Sequence, residues 1–238
     1  MPKISIIIPV YNHAPALAQC LQSIKNQTLN IPSFTKEGEG GGLEIIIVND
    51  GSTDITPDEL EKLTLQFSNS PILHTSHQPN QGAPVARNNG FAQSSGQYVI
   101  FCDADVVMKP DMLEKMVKVL DANPDVSYVY SAFKFGWKKF KLWEFDADKL
   151  KQMPYIHTTS LIRREHFSGF DPNLKRLQDW DLWLTMLEKG YIGKWIPEVL
   201  FSVKAGGSMS SWIPSFFTNF SADYNQATER VKTKHNLP

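Results

Sequence analysis

The amino-acid sequence predicts an α/β protein in which helices flank a mainly parallel sheet. Through the first half of the chain, apolar runs typical of buried strands alternate with segments whose apolar residues recur at helical spacing. Polar residues follow several of these strands directly, and open α/β sheets bind their ligands at the carboxyl ends of strands. The chain has 238 residues, 42% of them hydrophobic, which suffices for one large domain with a sizeable core.

The first predicted strand is residues 4–8, and Pro9-Val10-Tyr11-Asn12 follows it. A helix comes next, because Pro15 suits a first helical turn and Asn12 or His13 is available as its cap. Three apolar residues then recur at helical spacing: Leu17, Leu21 and Ile24. Together these segments predict one strand–helix unit.

A glycine-rich segment, residues 30–42, precedes the second predicted strand, residues 43–48. A phosphate-binding glycine loop follows a strand and opens a helix, so this segment has the reverse order and is interpreted as an inserted loop. After the strand, Thr56-Pro57-Asp58-Glu59 forms a capping box with proline at the first helical position. The helix that it begins is expected to end near Phe67.

The next predicted elements are a short strand over residues 72–75, a helix over 83–92 and a strand over 97–102. The following helix carries a methionine stripe that predicts a buried face: Met108, Met112 and Met116. Beyond it the alternation loosens. Strands near 126–131 and 158–162 and a helix over 179–189 indicate a mixed second half.

Asp103 and Asp105 stand one residue apart after the apolar run 97–102. Two acids so close repel each other unless one is protonated or a cation bridges them. Mg²⁺ and Mn²⁺ prefer oxygen ligands and keep open positions for water and phosphates, so the pair suits a metal–diphosphate site. A solvated turn with Asp as a helix cap is the alternative, and the dipeptide spacing alone leaves both open.

Composition limits the partners and the compartment. A formal net charge of −1 gives no overall attraction to nucleic acid, which is not expected as a partner. No apolar run approaches the length of a membrane span, and no signal peptide is recognisable. Cys20 and Cys102 lie on predicted apolar faces and indicate buried, reduced thiols. We therefore expect a cytoplasmic protein, with peripheral attachment at the inner face of the membrane left open.

Five motifs, in their order along the chain, resemble those of family 2 glycosyltransferases of the GT-A fold. The motifs are Pro9-Val10-Tyr11-Asn12, residues 44–54 ending in Asn49-Asp50-Gly51-Ser52-Thr53-Asp54, residues 80–90 beginning Asn80-Gln81-Gly82, Asp103-Ala104-Asp105, and Gly169-Phe170-Asp171 leading to Gln178-Asp179-Trp180-Asp181. The resemblance implies a mainly parallel nucleotide-binding sheet followed by a mixed acceptor-side half. It also implies transfer of a sugar from a nucleotide diphosphate, most often a UDP-sugar, to an acceptor hydroxyl with inversion at the anomeric carbon.

For the donor, the resemblance implies that Pro9 and Tyr11 lie beside the nucleotide base and that Asp50 accepts a hydrogen bond from its ring N–H. Arg87 is expected near the ribose and the diphosphate, whose oxygens a guanidinium fork matches. The residues themselves leave two alternatives open. Asp50 is also typical of a turn beside glycine, and an isolated arginine is most often a helix-surface residue.

For the metal, the resemblance implies that Asp105 ligates Mn²⁺ or Mg²⁺ bound to the diphosphate. Asp103 is expected to contact the ribose, or the metal through water. Lys204 is a further candidate for a diphosphate contact. The metal would stabilise negative charge on the departing nucleotide.

For catalysis, the resemblance makes Asp179 the candidate base that takes the proton of the acceptor hydroxyl. Family members commonly have Glu before this Asp, where this chain has Gln178. Asp181 lies roughly 200° around the helix from Asp179 and is interpreted as structural. Trp180 and Trp183 are candidates for stacking on sugar rings, with packing in the helix core at least as well supported.

Two segments bear on the acceptor. Residues 133–145 interleave lysines with aromatic residues, which favours a lipid-linked or anionic glycan contact, with a flexible loop packed by its own aromatics as an equal alternative. Residues 212–220 carry an apolar helical stripe that predicts docking or self-association ahead of a lipid interface. Residues 229–238 are expected to be a polar, fraying end.

The predicted organisation is one glycosyltransferase domain over residues 1–210, with a donor-binding part over about 1–108 and an acceptor-side part over about 109–210. Residues 211–238 form a helical appendage, and a homo-oligomer is an open alternative. The expected role is synthesis of cell-surface polysaccharide or glycolipid. A noncatalytic nucleotide-sugar binding module and, with less support, a sugar nucleotidyltransferase are the alternatives. The latter would need a glycine- and basic-rich loop after the first strand, where Pro9-Val10-Tyr11-Asn12 stands.

Overall fold

The computed structural model describes residues 3–28, 42–67, 72–204 and 222–238. Nine strands are present in these ranges: β1 (Ile4–Val10), β2 (Leu43–Asp50), β3 (Ile72–Gln78), β4 (Tyr98–Phe101), β5 (Val106–Met108), β6 (Tyr128–Phe135), β7 (Lys138–Phe140), β8 (Leu161–Arg163) and β9 (Gly193–Val203). The α-helices of the same ranges are α1 (Ala14–Lys25), α2 (Pro57–Leu65), α3 (Ala83–Gln93), α4 (Met112–Ala122), α5 (Ala147–Gln152), α6 (Gln178–Glu188) and α7 (Ala222–Lys234). The glycine-rich residues 30–41 and the apolar stripe at 212–220 lie outside the described residues.

The strands form a single mixed sheet in the order β3-β2-β1-β4-β8-β6-β9-β5, with β7 paired to β6. The first four strands of this order are parallel to one another. Strand β8 is antiparallel to both β4 and β6, and β6 is parallel to β9. The parallel first half and the mixed second half predicted from the sequence are therefore confirmed.

The sheet directions place the carboxyl ends of several strands at one edge. Strands β1, β2 and β4 are parallel, so the loops that follow them lie together. Because β8 is antiparallel to β4 and also to β6, strand β6 runs in the same direction as β4. The turn after β6 therefore also lies at this edge, which we call the site edge.

Alternate residues of β1 enter two hydrophobic clusters on opposite faces of the sheet. Ile6 and Ile8 pack in the cluster that contains α1 and α4, whereas Ile7 packs in the cluster that contains α6. A central parallel strand covered on both faces needs apolar residues throughout, which explains the uninterrupted apolar run. Trp180 and Trp183 of α6 are buried in the second cluster, and their indole N–H groups donate to the carbonyls of Leu150 and Ile156. Core packing, not sugar stacking, accounts for both tryptophans.

Two local expectations, the capping box of α2 and the burial of both cysteines, are confirmed. Thr56 and Glu59 form the reciprocal capping box of α2. Cys20 and Cys102 are buried and free, with their sulfur atoms 3.6 Å apart. Among the described residues, no helix combines the length and apolarity needed to cross a bilayer.

Three expectations need correction. Met108 lies in β5 and not on the helix with the other two methionines, although it is buried as predicted. Residues 133–140 are a β-hairpin and not a flexible loop. The chain end does not fray from residue 229, because α7 continues to Lys234 and its Val231 is fully buried. Polar residues of this end pair with acids on α6, a contact that a local sequence pattern does not show.

Candidate active site

A cavity of about 100 Å³ opens at the site edge. Its lining comprises Pro9, Val10, Tyr11, His13, Asp50, Ala83, Arg87, Asp103, Ala104 and Asp105. All six residues that the sequence assigned to the donor and the metal are among them. Asp179 does not line this cavity.

Asp50 ends β2 and organises the loop before α3. One oxygen of its carboxylate, Oδ1, accepts from Gln78 Nε2 at 2.7 Å and from the Gln81 backbone N–H at 2.9 Å. The other oxygen, Oδ2, accepts from the Gly82 backbone N–H at 2.9 Å. The turn-stabilising role is thus present. A carboxylate offers about four acceptor positions, so three bonds leave room for a fourth, and the contact with a base stays a prediction.

The loop that carries Tyr11 is clamped to the loop after β2. Asn12 Oδ1 accepts from the Thr53 backbone N–H at 2.8 Å, and Asp54 Oδ2 accepts from the Ala14 backbone N–H at the start of α1 at 2.9 Å. Tyr11 itself remains 45% exposed. Its ring is therefore available to a ligand while its backbone is held in place.

Arg87 of α3 is only 1% exposed, so the helix-surface interpretation is wrong. Its Nη2 donates to Asp103 Oδ1 at 2.7 Å, and its Nη1 donates to Gln178 Oε1 at 2.8 Å. The guanidinium also lies 5.2 Å from the centre of the Phe170 ring. Arg87 joins α3, the end of β4 and the first residue of α6.

The two acids after β4 differ in their electrostatics. Burial, the largest single effect, would raise the pKa of Asp103, but the charge and hydrogen bond of Arg87, together with the nearby His157 and His13, outweigh it and the pKa is lowered. Burial and the negative charge of Asp103 raise the pKa of Asp105 to about 6, against a smaller opposing effect of His13. Asp105 is therefore the acid whose ionised form still needs a positive partner.

This donor set fits a divalent cation. Mg²⁺ and Mn²⁺ in phosphate-transfer sites usually bind one or two carboxylates and complete their shell with water and phosphate oxygens. Asp103 and Asp105 provide such a pair in one cavity. Within the described ranges no cluster of three or more His, Cys, Asp or Glu residues could hold a metal ion by itself.

Asp179 lies in the first turn of α6 and is 8% exposed. Its Oδ1 accepts from the Trp180 backbone N–H at 2.9 Å. The preceding residue, Gln178, accepts a hydrogen bond from Arg87, and Arg87 in turn bonds Asp103, so the first turn of α6 is linked to the acids after β4 through Arg87. The structure brings Asp179 to this neighbourhood without placing it in the cavity, and its role as base stays a prediction.

Sequence reasoning overlooked three residues near the cavity. Gln178 was noted only because it replaces the Glu that family members commonly have, yet its amide oxygen accepts a hydrogen bond from Arg87. His13 lines the cavity, and an isolated histidine after a strand carries no distinctive pattern. Burial lowers the pKa of His157 to about 4, and its Nδ1 accepts from the Thr159 backbone N–H at 3.0 Å, so His157 is neutral. The backbone N–H of Lys204 donates to the Asp105 carbonyl at 3.2 Å, and the contact of its side chain with a diphosphate stays a prediction.

The sheet order and the cavity define a GT-A type glycosyltransferase fold. TarS from S. aureus in complex with UDP-GlcNAc matches with a TM-score of 0.72 and 18% identity, over 97% of this chain and 66% of that chain. The mannosyltransferase PcManGT from Pyrobaculum calidifontis in complex with GDP-Man and Mn²⁺ matches with a TM-score of 0.67 and 21% identity, over 87% of this chain and 58% of that one. At these identities the likeness shows the fold alone.

The sequence identifies the family. Residues 5–175 match the family described as Glycosyl transferase family 2, and the chain belongs to it. The uncharacterized glycosyltransferase YwdF of Bacillus subtilis (strain 168) is 30% identical over 99% of this chain and 85% of its own length. Some other curated relatives are longer, and the chain spans less than half of their length. The protein is a glycosyltransferase, as the motifs predicted.

Proposed function

We propose that this enzyme transfers a sugar from a UDP-sugar to a hydroxyl of a glycan or lipid-linked saccharide, with inversion and with a divalent metal. The observation that carries the proposal is the convergence of Asp50, Arg87, Asp103 and Asp105 on one cavity at the site edge. The complexes of TarS with UDP-GlcNAc and of PcManGT with GDP-Man and Mn²⁺ support a nucleotide-sugar donor and a metal. The role we propose is cytoplasmic synthesis of cell-surface polysaccharide or glycolipid.

Each donor-side residue has a defined task in this proposal. The exposed Tyr11 ring covers one face of the base, and the remaining acceptor position of Asp50 receives the base N–H. Arg87 keeps Asp103 ionised and fixes its Oδ1, which leaves Oδ2 for the ribose or a metal-bound water. These groups are positioned before the donor arrives, so binding requires little reorganisation.

Asp105, with Asp103 beside it, would hold Mn²⁺ or Mg²⁺. When bound, the cation stabilises negative charge on the departing nucleotide diphosphate. The protein's own contribution is a partly buried carboxylate that no ion pair neutralises among the described residues, next to one that Arg87 already neutralises. One acid is thus kept for the cation, and the other orients the donor.

Asp179 would accept the proton of the attacking hydroxyl on the acceptor side. A direct displacement inverts the anomeric carbon and needs a base opposite the leaving group. The bond between Gln178 and Arg87 couples the first turn of α6 to the donor cavity. We infer that this link sets the distance between the base and the donor.

A thermal-shift panel with UDP and GDP, each with and without Mn²⁺, tests the donor site. We expect UDP to raise the melting temperature of the wild type only when the metal is present, because the proposed cation links the diphosphate to Asp105. A ligand at a hundred times its Kd adds about 2.7 kcal/mol of stability, which such an assay detects. Asp105→Ala should abolish that shift. Asp125→Ala is the matched control, since Asp125 is an exposed acid before β6, at the opposite edge of the sheet.

Two outcomes would contradict the proposal. If neither nucleotide stabilises the wild type, the donor site is wrong, and if UDP stabilises equally without metal, the metal requirement is wrong. A transfer assay with the preferred nucleotide-sugar then tests the remaining alternative, a binding module without activity. The sugar nucleotidyltransferase alternative is replaced by the family assignment.

A further inference from the structure

The hairpin formed by β6 and β7 presents an exposed tryptophan and several lysines. Trp137 is 95% exposed at the tip. Gly136, with φ of +55°, occupies the first central position of the two-residue turn, a position for which glycine is favoured, and this places Trp137 at the outermost point. We call Lys134, Trp137, Lys138, Lys139 and Lys141 the basic hairpin.

The outer face of the basic hairpin concentrates positive charge. Lys134 and Lys139 are exposed and stand directly opposite each other in the strand register. Like charges in that position destabilise a strand pair, and neither lysine forms an ion pair within the described part of the chain. Residues 132–143 contain four lysines and no acid, although the chain as a whole has a net charge of −1. The face is thus suited to an anionic partner.

The inner face of the same hairpin is firmly packed. The Phe133 ring stacks on Phe140 with centroids 4.9 Å apart, and on Phe201 of β9 with centroids 5.2 Å apart. The Lys138 ammonium lies 5.1 Å from the centre of the Phe140 ring. The aromatic residues that hold the hairpin are therefore distinct from Trp137, whose ring contributes to no packing layer. A preformed hairpin loses little conformational entropy on binding a surface.

The basic hairpin lies beside the proposed metal site. Its turn residue Gly136 donates its backbone N–H to the Val203 carbonyl at 3.0 Å. The next residue, Lys204, donates its own backbone N–H to the Asp105 carbonyl at 3.2 Å. One strand therefore separates the hairpin from Asp105, and both lie at the site edge.

We propose that the basic hairpin docks the enzyme on an anionic phospholipid surface. An interfacial tryptophan places its apolar ring and its N–H at the headgroup level, and each lysine near an anionic leaflet adds attraction. Docking there would hold the site edge against the bilayer, where a lipid-linked acceptor presents its hydroxyl. That consequence rests on the proposed function, whereas the docking itself does not.

Vesicle flotation at low ionic strength tests the docking with no donor or metal present, so its result is independent of the donor-site experiment. The vesicles are phosphatidylcholine alone, or phosphatidylcholine with one third phosphatidylglycerol. We expect the wild type to float only with the anionic vesicles. The double variant Lys134→Glu/Lys139→Glu should weaken the partition of the protein onto these vesicles by about thirtyfold or more. Each lysine near an anionic surface contributes about 1 kcal/mol, and about 1.4 kcal/mol corresponds to a tenfold change.

Two further variants complete the design. Trp137→Ala should also weaken flotation and should remove the quenching of tryptophan fluorescence by brominated lipid that the wild type shows. The control variant Lys25→Glu/Lys62→Glu reverses the charge of two exposed lysines on α1 and α2, and it should float like the wild type. Unchanged melting temperatures confirm that each variant is folded.

The proposal is overturned by any of three results. The first is equal flotation with neutral and anionic vesicles, and the second is wild-type flotation of the hairpin variants. The third is hairpin-dependent binding of a soluble polyanionic glycan such as heparin without flotation, which would assign the surface to an anionic glycan.

Discussion

Arg87 gives the two acids that follow β4 different properties. Asp103 contacts the guanidinium at 2.7 Å, and its pKa is lowered despite its burial. No ion pair of Asp105 is found among the described residues, and burial together with the charge of Asp103 raises its pKa to about 6. Two identical residues separated by a single alanine thus differ in charge environment, in line with the proposed donor contact of Asp103 and cation contact of Asp105.

The first prediction concerns the substitution Arg87→Met. The change leaves Asp103 as a buried charge without its partner, which costs about 3–5 kcal/mol of unfolding free energy. Asp103→Asn in the same chain should recover much of the loss, because the unpaired charge is then gone. Urea denaturation at pH 7 measures both effects.

The pH dependence of the same variant is a stricter check. A carboxyl group with a lowered folded-state pKa adds stability above its unfolded pKa of about 3.9, and this stability is lost as the pH falls through the folded value. The gap between wild type and Arg87→Met should therefore narrow below about pH 4. A constant gap would mean that the pair contributes nothing through ionisation.

The second prediction concerns Asp179→Asn, which keeps the size of the side chain and removes its basicity. We expect kcat for transfer to fall by about 10²–10⁴-fold, the usual contribution of a general base. The Kd of the donor should stay close to that of the wild type, because Asp179 does not line the donor cavity. Asp125→Asn is the control, and full transfer by Asp179→Asn would refute the assignment.

Helix α7 and the residue after it are held to α6 by a group of charges, of which Asp181 and His235 are buried. Asp181 of α6, which is 1% exposed, accepts from His235 at 2.9 Å and from Lys234 at 2.7 Å. The second ring nitrogen of His235 contacts Glu188 at 2.7 Å, and Lys234 also contacts Asp171 at 2.8 Å. The structural interpretation of Asp181 agrees with these contacts, since it faces α7 and not the donor cavity.

The third prediction follows from this group. Burial would lower the pKa of His235, but its bonds to Asp181 and Glu188 outweigh burial and the pKa is raised. A raised pKa means stability that is fully present below the unfolded value of about 6.5 and lost as the pH rises through the folded value. The unfolding free energy of the wild type should thus exceed that of His235→Gln most at acidic pH, above the range where the carboxylates titrate.

Chemical denaturation at a series of pH values measures this difference. The control is Lys62→Gln, which removes an exposed cation on α2, far from α7. A difference between wild type and His235→Gln that grows from pH 6 to pH 8 would contradict the sign derived for His235.

Across the whole molecule, the parallel half and the mixed half of the fold meet at the side chain of Arg87. Helix α3 and strand β4 belong to the parallel half, whereas α6 belongs to the mixed half. The guanidinium bonds Asp103 of the first and Gln178 of the second. The halves are therefore joined by hydrogen bonds at the site as well as by the continuous sheet.

The difference between local and long-range information explains what could be predicted. The strand–helix alternation and the motifs around Asp50 and Asp103 are local patterns, so the fold and the assigned residues that line the cavity were predictable from the sequence. The contact between Asp181 and His235 joins residues 54 positions apart, and no local pattern indicates it. Trp183 illustrates the same limit, because helical spacing does not tell a buried face from a ligand-binding one.

The last prediction concerns the bond that joins the halves. Gln178→Leu removes the acceptor of Arg87 Nη1 and leaves a buried donor unsatisfied, at a cost of about 1–3 kcal/mol in stability. Because Asp179 follows directly, its position relative to the donor should shift, and a displacement near 1 Å can lower kcat about a hundredfold. The Kd of the donor should change little, since Arg87 keeps its bond to Asp103.

Gln178→Glu retains an acceptor oxygen at the same position and should restore kcat toward the wild type. Steady-state transfer kinetics with separate donor titrations distinguish the outcomes: a loss confined to donor affinity, or a kcat that Gln178→Glu does not restore, would show that Gln178 does not position the base.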